Sequence, residues 1–280
     1  MTTLAVPAPT SRQRRTAVLP PTASRLLTSE WIKLRTLRST WWALALSVAL
    51  VVAMAMSRTS SIAQVPEAAG FVEGAVYVTS GAALAQLVFC TLGVLAITGE
   101  YASGQIRTSL AAAPTRVPVL WTKLAVIVAT VLVTSLVAVG LAWAASARWF
   151  GATSMTIDLT QADDARIMLG TPLYLATVTA LAFAIGALVR TSAAGVAATL
   201  GLVLVVENAI ALIPWAPLQA ISPYLPATAG NRLVTSDVMG AVTTTSTNAT
   251  LSPWQGYGVL VAWVLVLLAV AAVRLRREDA

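Results

Sequence analysis

Histidine is absent from this 280-residue chain. That removes the commonest general base and the commonest metal ligand together. Cysteine is nearly absent too: Cys90 stands alone inside an apolar run, so no intrachain disulfide can form. Charge is the third scarcity. Only 10% of residues are Asp, Glu, Lys or Arg, against about 25% in an ordinary soluble domain. With 58% hydrophobic residues and a mean hydropathy of +0.80, the chain has too little polar surface to cover an aqueous globule. Lipid is therefore its solvent over most of its length. Catalytic signatures are missing as well. There is no Gly-x4-Gly-Lys-Ser/Thr phosphate loop, no His-Glu-x2-His and no Gly-x-Ser-x-Gly. The chain is read as no enzyme and as holding no cofactor of its own.

What is present is a set of long apolar runs. A bilayer core about 30 Å thick needs roughly 17–25 apolar residues as a helix. Six stretches qualify: 40–56, 76–98, 121–147, 172–189, 193–213 and 256–273. They are continuous and Ala/Leu-rich, without the alternation of a membrane strand. The fold class is all-α, a polytopic membrane protein with six transmembrane helices. The short linker at Arg190, Thr191 and Ser192 makes spans four and five an antiparallel hairpin. Dense small residues there, Gly186, Gly195 and Gly201 among them, read as close helix packing within the protomer.

The net charge of +7 sits beside apolar runs, the pattern of membrane orientation and not of a nucleic-acid groove. Fourteen of the eighteen Lys and Arg residues fall on the side of the N-terminal tail, from Arg12 to Arg38 and again at Arg107, Arg116, Lys123, Arg190 and Arg274 to Arg277. The other side keeps Arg58, Arg148, Arg166 and Arg232. The bias places both termini in the cytoplasm. Tryptophans such as Trp41, Trp42, Trp121, Trp215 and Trp254 fall at span ends, at headgroup level, whereas Trp143 and Trp263 are expected inside the bundle. The first apolar run begins too late for a cleavable leader.

Four regions follow: 1–24 a disordered cytoplasmic tail, 25–39 an interfacial helix, 40–273 the six-span domain, and 274–280 a cytoplasmic C-terminal tail. In 25–39, Leu27, Trp31 and Leu34 form an apolar stripe bordered by Lys33 and Arg35. Such a helix lies along the headgroups. It is either a plain topogenic anchor or an elbow supporting a partner's docking site. In the loop between spans two and three, Glu100 reads as the start of a short amphipathic helix, where a carboxylate suits the positive end of the dipole. Ile106 and Leu110 share a face of it, and Pro114 ends it.

The order Glu100–x3–Gly104–x–Ile106, then Leu110, Pro114-Thr115-Arg116 and Lys123, resembles the first cytoplasmic loop of ABC-2-type permeases. Ser29 to Arg35 followed by Ser39-Thr40-Trp41-Trp42 is similar to the N-terminal elbow of bacterial members. Gln105 stands where the family often has Thr. The resemblance covers nearly the whole chain. It implies a permease subunit in a bacterial inner membrane, exporting a small amphipathic compound or lipid. It also implies an ABC ATPase in trans that binds ATP and Mg2+, a second permease subunit as homodimer or heterodimer, and membrane lipids as partners. Glu100, Gly104, Arg107 and Arg116 would then lie at the ATPase-coupling surface. Ser222-Pro223-Tyr224-Leu225-Pro226 resembles the family's short re-entrant helices before the last span, with a solvated connector as the alternative. A membrane regulatory protein without transport and an ion-coupled secondary transporter are the other classes considered.

Glu207 is the one ionisable residue well inside an expected span, with Asn208 adjacent. Such groups are costly in lipid and point to a role. Three are open: a polar wall of a translocation path, a structural hydrogen bond to a Ser or Thr, or a proton site.

Overall fold

The computed structural model describes residues 22–64, 73–104, 117–153, 155–236 and 251–277. Six helices are long and apolar enough to cross a membrane, and no strand occurs among the described residues. The elements are α1 (Ala23–Thr36), α2 (Arg38–Ala63), α3 (Gly74–Thr79), α4 (Ala82–Ala102), α5 (Val117–Thr153) and α6 (Ala162–Val189). After them come α7 (Ser192–Leu200), a π turn (Gly201–Val206), α8 (Glu207–Leu212), α9 (Ala216–Ile221), a 3-10 turn (Ser222–Tyr224), α10 (Pro226–Asn231) and α11 (Pro253–Arg277). The spans are α2, α3 with α4, α5, α6, α7 with α8, and α11. The expected tail lies outside the described residues up to position 21, as do positions 278–280 of the C-terminal tail. Helix α1 already begins at Ala23.

Helix α6 is the centre of the bundle. Of its most apolar stretch 72% is buried, against 22% for the span built from α7 and α8. It packs on α4, where Gly93 permits contact: a Cβ there would stand 2.6 Å from the Thr179 carbonyl oxygen. At Gly195 a Cβ would meet the Val94 side chain at 2.8 Å. Gly186 and Gly195 thus seat spans four and five on α4 inside the chain, as the sequence reading expected, whereas a Cβ on Gly201 would meet nothing within 4 Å. Lipid offers no hydrogen bonds, so buried hydroxyls bond back one turn. Thr98 donates to the Val94 carbonyl, Thr179 to Leu175 and Thr199 to Gly195. The outer faces carry exposed aliphatics, including Val133 and Val137 on α5 and Val266 and Val270 on α11.

Three points differ from the sequence reading. Span four starts ten residues before Pro172, at Ala162, and Pro172 sits inside the helix. A proline forfeits one backbone bond, which tight packing in a membrane bundle tolerates. Asp163 and Asp164 occupy the first turn, where the helix dipole favours them. Span two is broken at Ser80–Gly81, where α2 comes so close that a Cβ on Gly81 would lie 2.5 Å from the Val51 Cα. Trp263 is 41% exposed and donates its indole N–H to the Tyr224 carbonyl at 3.0 Å, so it faces outward and is not packed inside the bundle.

Helix α1 ends at an extended Leu37, and Trp41 donates to the Arg35 carbonyl across that break. Of the α1 apolar stripe only Leu34 turns inward, half-buried against the core. Leu27 is 39% and Trp31 49% exposed, while Glu30 is buried. An outward-facing apolar stripe suits a helix lying in the headgroup layer.

Candidate functional site

Glu30 and Lys33 are three residues apart on α1 and so share one face. That face meets the last turn of α4, which supplies Glu100, and the second turn of α5, which supplies Lys123. Lys33 Nζ donates to Glu30 Oε1 and to Glu100 Oε1, both at 2.8 Å. Lys123 Nζ donates to Glu100 Oε1 at 2.8 Å and also to Glu30 Oε2. Two acids and two bases thus close into one network tying α1, α4 and α5 together. Glu30, Glu100 and Lys123 are buried, and the Lys33 side chain is 33% exposed. Burial works to lower the Lys33 pKa, but the hydrogen bonds it donates to the Glu100 and Glu30 carboxylates, with their charges, together carry it above its ordinary value. One acceptor is left over: Glu100 Oε2 is buried and has no hydrogen-bond partner among the described residues.

The sequence reading put Glu100 at the start of a loop helix. Instead it ends α4, next to the negative end of the helix dipole, where a carboxylate is disfavoured. Lys33 and Lys123, 67 and 23 residues away in sequence, outweigh that penalty. Gly104 follows with φ 70°, a left-handed residue that stops the helix and accepts no Cβ without strain. Arg107, Arg116 and the expected loop helix up to Pro114 lie outside the described residues. The hairpin linker is as expected, with Arg190 in the left-handed conformation (φ 64°) and its guanidinium 5.5 Å from the Tyr101 ring. Arg274 on α11 reaches the Leu188 carbonyl at 2.9 Å, so the end of the last span joins the same end of the bundle.

The opposite end is built around the short helices before the last span. The Ser222–Pro226 segment forms a 3-10 turn leading into α10, in line with its resemblance to short re-entrant helices. Glu207, 3% exposed, reaches the first turn of α10. Its Oε1 accepts from the Ala227 N–H at 2.9 Å. Its Oε2 accepts from the Thr228 N–H at 2.5 Å and from the Thr228 hydroxyl at 2.7 Å. All three partners are donors, and the hydrogen bond to a Thr that the sequence left open is among them.

The π turn explains how Glu207 points inward from a span that is mostly exposed. Extra residues per turn at Gly201–Val206 shift the register just before it. Asn208 is exposed and donates to the Leu204 carbonyl at 2.9 Å, covering a backbone acceptor inside that turn. Arg166 was no candidate in the sequence. It is buried, pairs with Asp163 at 3.1 Å, and donates to the carbonyls of Leu233 and Thr235, both at 3.0 Å. An acid from span five therefore holds the beginning of α10, and a base from span four holds the residues just past its end. Glycines make the fit close: a Cβ on Gly256 would lie 2.3 Å from the Ala229 carbonyl oxygen.

No group of three or more Asp, Glu, Cys or His side chains among the described residues could hold a metal. The two polar clusters are tie points between spans, one at each end of a bundle whose middle is apolar. Comparison with curated proteins returned no match. The family model described as "ABC-2 family transporter protein" matches residues 25–280. This multi-pass membrane chain belongs to the ABC-2 transporter family and is a permease component of an ABC transporter.

Proposed function

We propose that the chain exports a small amphipathic compound or lipid across a bacterial inner membrane, driven by a separate ABC ATPase that binds ATP and Mg2+. Family membership implies an ATPase partner. In the proposed assembly two permease subunits stand above two ATPases, as homodimer or heterodimer. Both termini face the cytoplasm, the side that carries fourteen of eighteen Lys and Arg residues.

The observation that carries the reading is the Glu30–Lys33–Glu100–Lys123 network. It fastens α1 to the two helix ends that flank residues 105–116. A motor pressing on that segment would therefore move the elbow and spans two and three as one body. Gly104 sets the direction in which the segment leaves α4, and Arg107 and Arg116 are the side chains proposed to meet the ATPase.

The test is co-reconstitution with the ATPase in inverted membrane vesicles, reading ATP-dependent uptake of a fluorescent amphipath. Arg107→Glu with Arg116→Glu should abolish uptake and the permease-stimulated ATPase rate, while unfolding of the purified permease is unchanged. Full uptake by the doubly reversed variant would rule out this coupling surface.

A further inference from the structure

Of the four basic residues in the elbow, only Lys33 has its charge answered. Among the described residues at this end of the bundle the acids are Glu30 and Glu100, and both are buried in the network with Lys33 and Lys123. Three guanidiniums are left over. Arg25 and Arg35 on α1 and Arg38 at the start of α2 are exposed and make no ion pair among the described residues.

The helix sets these charges beside apolar surface. Residues three or four apart are neighbours on a helix. Leu27, Trp31 and Arg35 follow one another in steps of four, and Arg25, Thr28, Ile32 and Arg35 make the adjoining row. Each of them is exposed. Past the extended Leu37, the Trp41 indole N–H donates to the Arg35 carbonyl at 2.9 Å and fixes the end of α1 against the start of α2. Arg38 lies between those two residues in sequence, and Trp42, 77% exposed, follows them.

A cationic row next to an apolar one suits a partner with both characters. An acidic protein face or soluble phosphate would answer the guanidiniums and leave Leu27, Trp31 and Trp42 in water. An anionic phospholipid supplies phosphate oxygens, which match the paired N–H donors of arginine, and acyl chains for the apolar row. The depth agrees as well, because α2 begins at Arg38 and is itself a span, and tryptophan prefers the headgroup level.

We infer that the α1–α2 elbow is a binding surface for anionic phospholipid, with Arg25, Arg35 and Arg38 on headgroup phosphates and Leu27, Trp31 and Trp42 against the acyl chains. Glu30 and Lys33 fasten α1 to α4 and α5, so lipid that holds the elbow also holds those two helix ends. The surface involves no ATPase and no transport step, so it stands or falls apart from the proposed export function.

Native mass spectrometry of the full-length chain in mild detergent tests it. After delipidation, dioleoyl phosphatidylglycerol should bind more tightly than dioleoyl phosphatidylcholine by about tenfold or more. The two lipids share chains and phosphate, and each basic residue facing an anionic head contributes about fivefold. Arg25→Gln, Arg35→Gln and Arg38→Gln together should cut that preference about fivefold or more, with unfolding unchanged because the three side chains are exposed. The matching set of Arg→Lys changes keeps the charge and should keep the preference. Arg58→Gln with Arg148→Gln removes two exposed charges at the opposite end and should leave it within about twofold. Glycerol phosphate at the lipid's concentration should displace nothing. Equal binding of the two lipids, an undiminished preference in the triple Gln variant, an equal drop in the opposite-end control, or displacement by glycerol phosphate would each overturn the assignment. So would a triple variant that keeps the lipid preference but loses a co-purifying ATPase, since the surface would then serve an acidic protein face.

Discussion

Lys123→Met separates the charge network from ordinary helix packing. Methionine keeps most of the methylene stem, so the loss is chiefly the ammonium and its two bonds, to Glu30 Oε2 and Glu100 Oε1. Three charges then remain, two buried acids facing the single base Lys33. Removing one partner from a buried ion pair costs about 3–5 kcal/mol, because the other charge stays buried without compensation. Lys33 is partly exposed and can shift toward the acids, which favours the lower half of that range. The double variant Lys123→Met with Glu100→Gln restores the balance of one acid to one base. It should be less destabilised than the sum of the singles by about 0.5–3 kcal/mol. Unfolding by titrating SDS into mild-detergent micelles, followed by the fluorescence of the nine tryptophans, reads all four corners of the cycle. A loss under about 0.5 kcal/mol for Lys123→Met, the size of a neutral surface change, would refute the network's role. So would strict additivity.

Three further outcomes are expected. Glu207→Gln leaves one of the two α10 N–H groups without an acceptor and should cost about 1.5–3 kcal/mol in the same assay, with Glu207→Asp no better because the shorter arm cannot reach both Ala227 and Thr228. Gly256→Ala places a methyl 2.3 Å from the Ala229 carbonyl oxygen and should cost about 1–3 kcal/mol, whereas Gly258→Ala, which meets nothing within 4 Å, should be close to neutral. Lys33 has a folded-state pKa above its unfolded 10.5, so its contribution is complete below 10.5 and is lost as pH rises through the folded value. A stability profile from pH 8 to 12 should therefore fall at the alkaline end in the parent chain. The fall should be shallower in Lys33→Met.

Most of the fold was legible because membrane helices announce themselves by unbroken apolar length, and the hairpin and elbow by short polar breaks. Pro172 shows where that reading stops. An apolar window ends at the charged residues 163–166, yet the helix does not, since Asp163 and Asp164 are compatible with its first turn and Arg166 finds carbonyls on another segment. Glu100 shows the second limit. The dipole rule for acids at helix starts is local, and the partners that hold Glu100 at a helix end come from α1 and α5. Its sequence neighbours carry no sign of them. Glu207 was visible as a charge in lipid, but its target α10 lies 20 residues on, beyond a π turn that Gly201–Val206 do not advertise. Arg166 could have been found only by asking which cation might serve the buried carbonyls of the Pro-rich segment before the last span.

The central claim is that this permease works with a separate ATPase at the elbow end of the bundle. Affinity purification of the tagged full-length chain from its native cell in mild detergent tests it most directly. The account predicts an ABC ATPase recovered near one-to-one with the permease, and lost or weakened when Arg107 and Arg116 are reversed to Glu. A chain that purifies intact with no nucleotide-binding partner would contradict it.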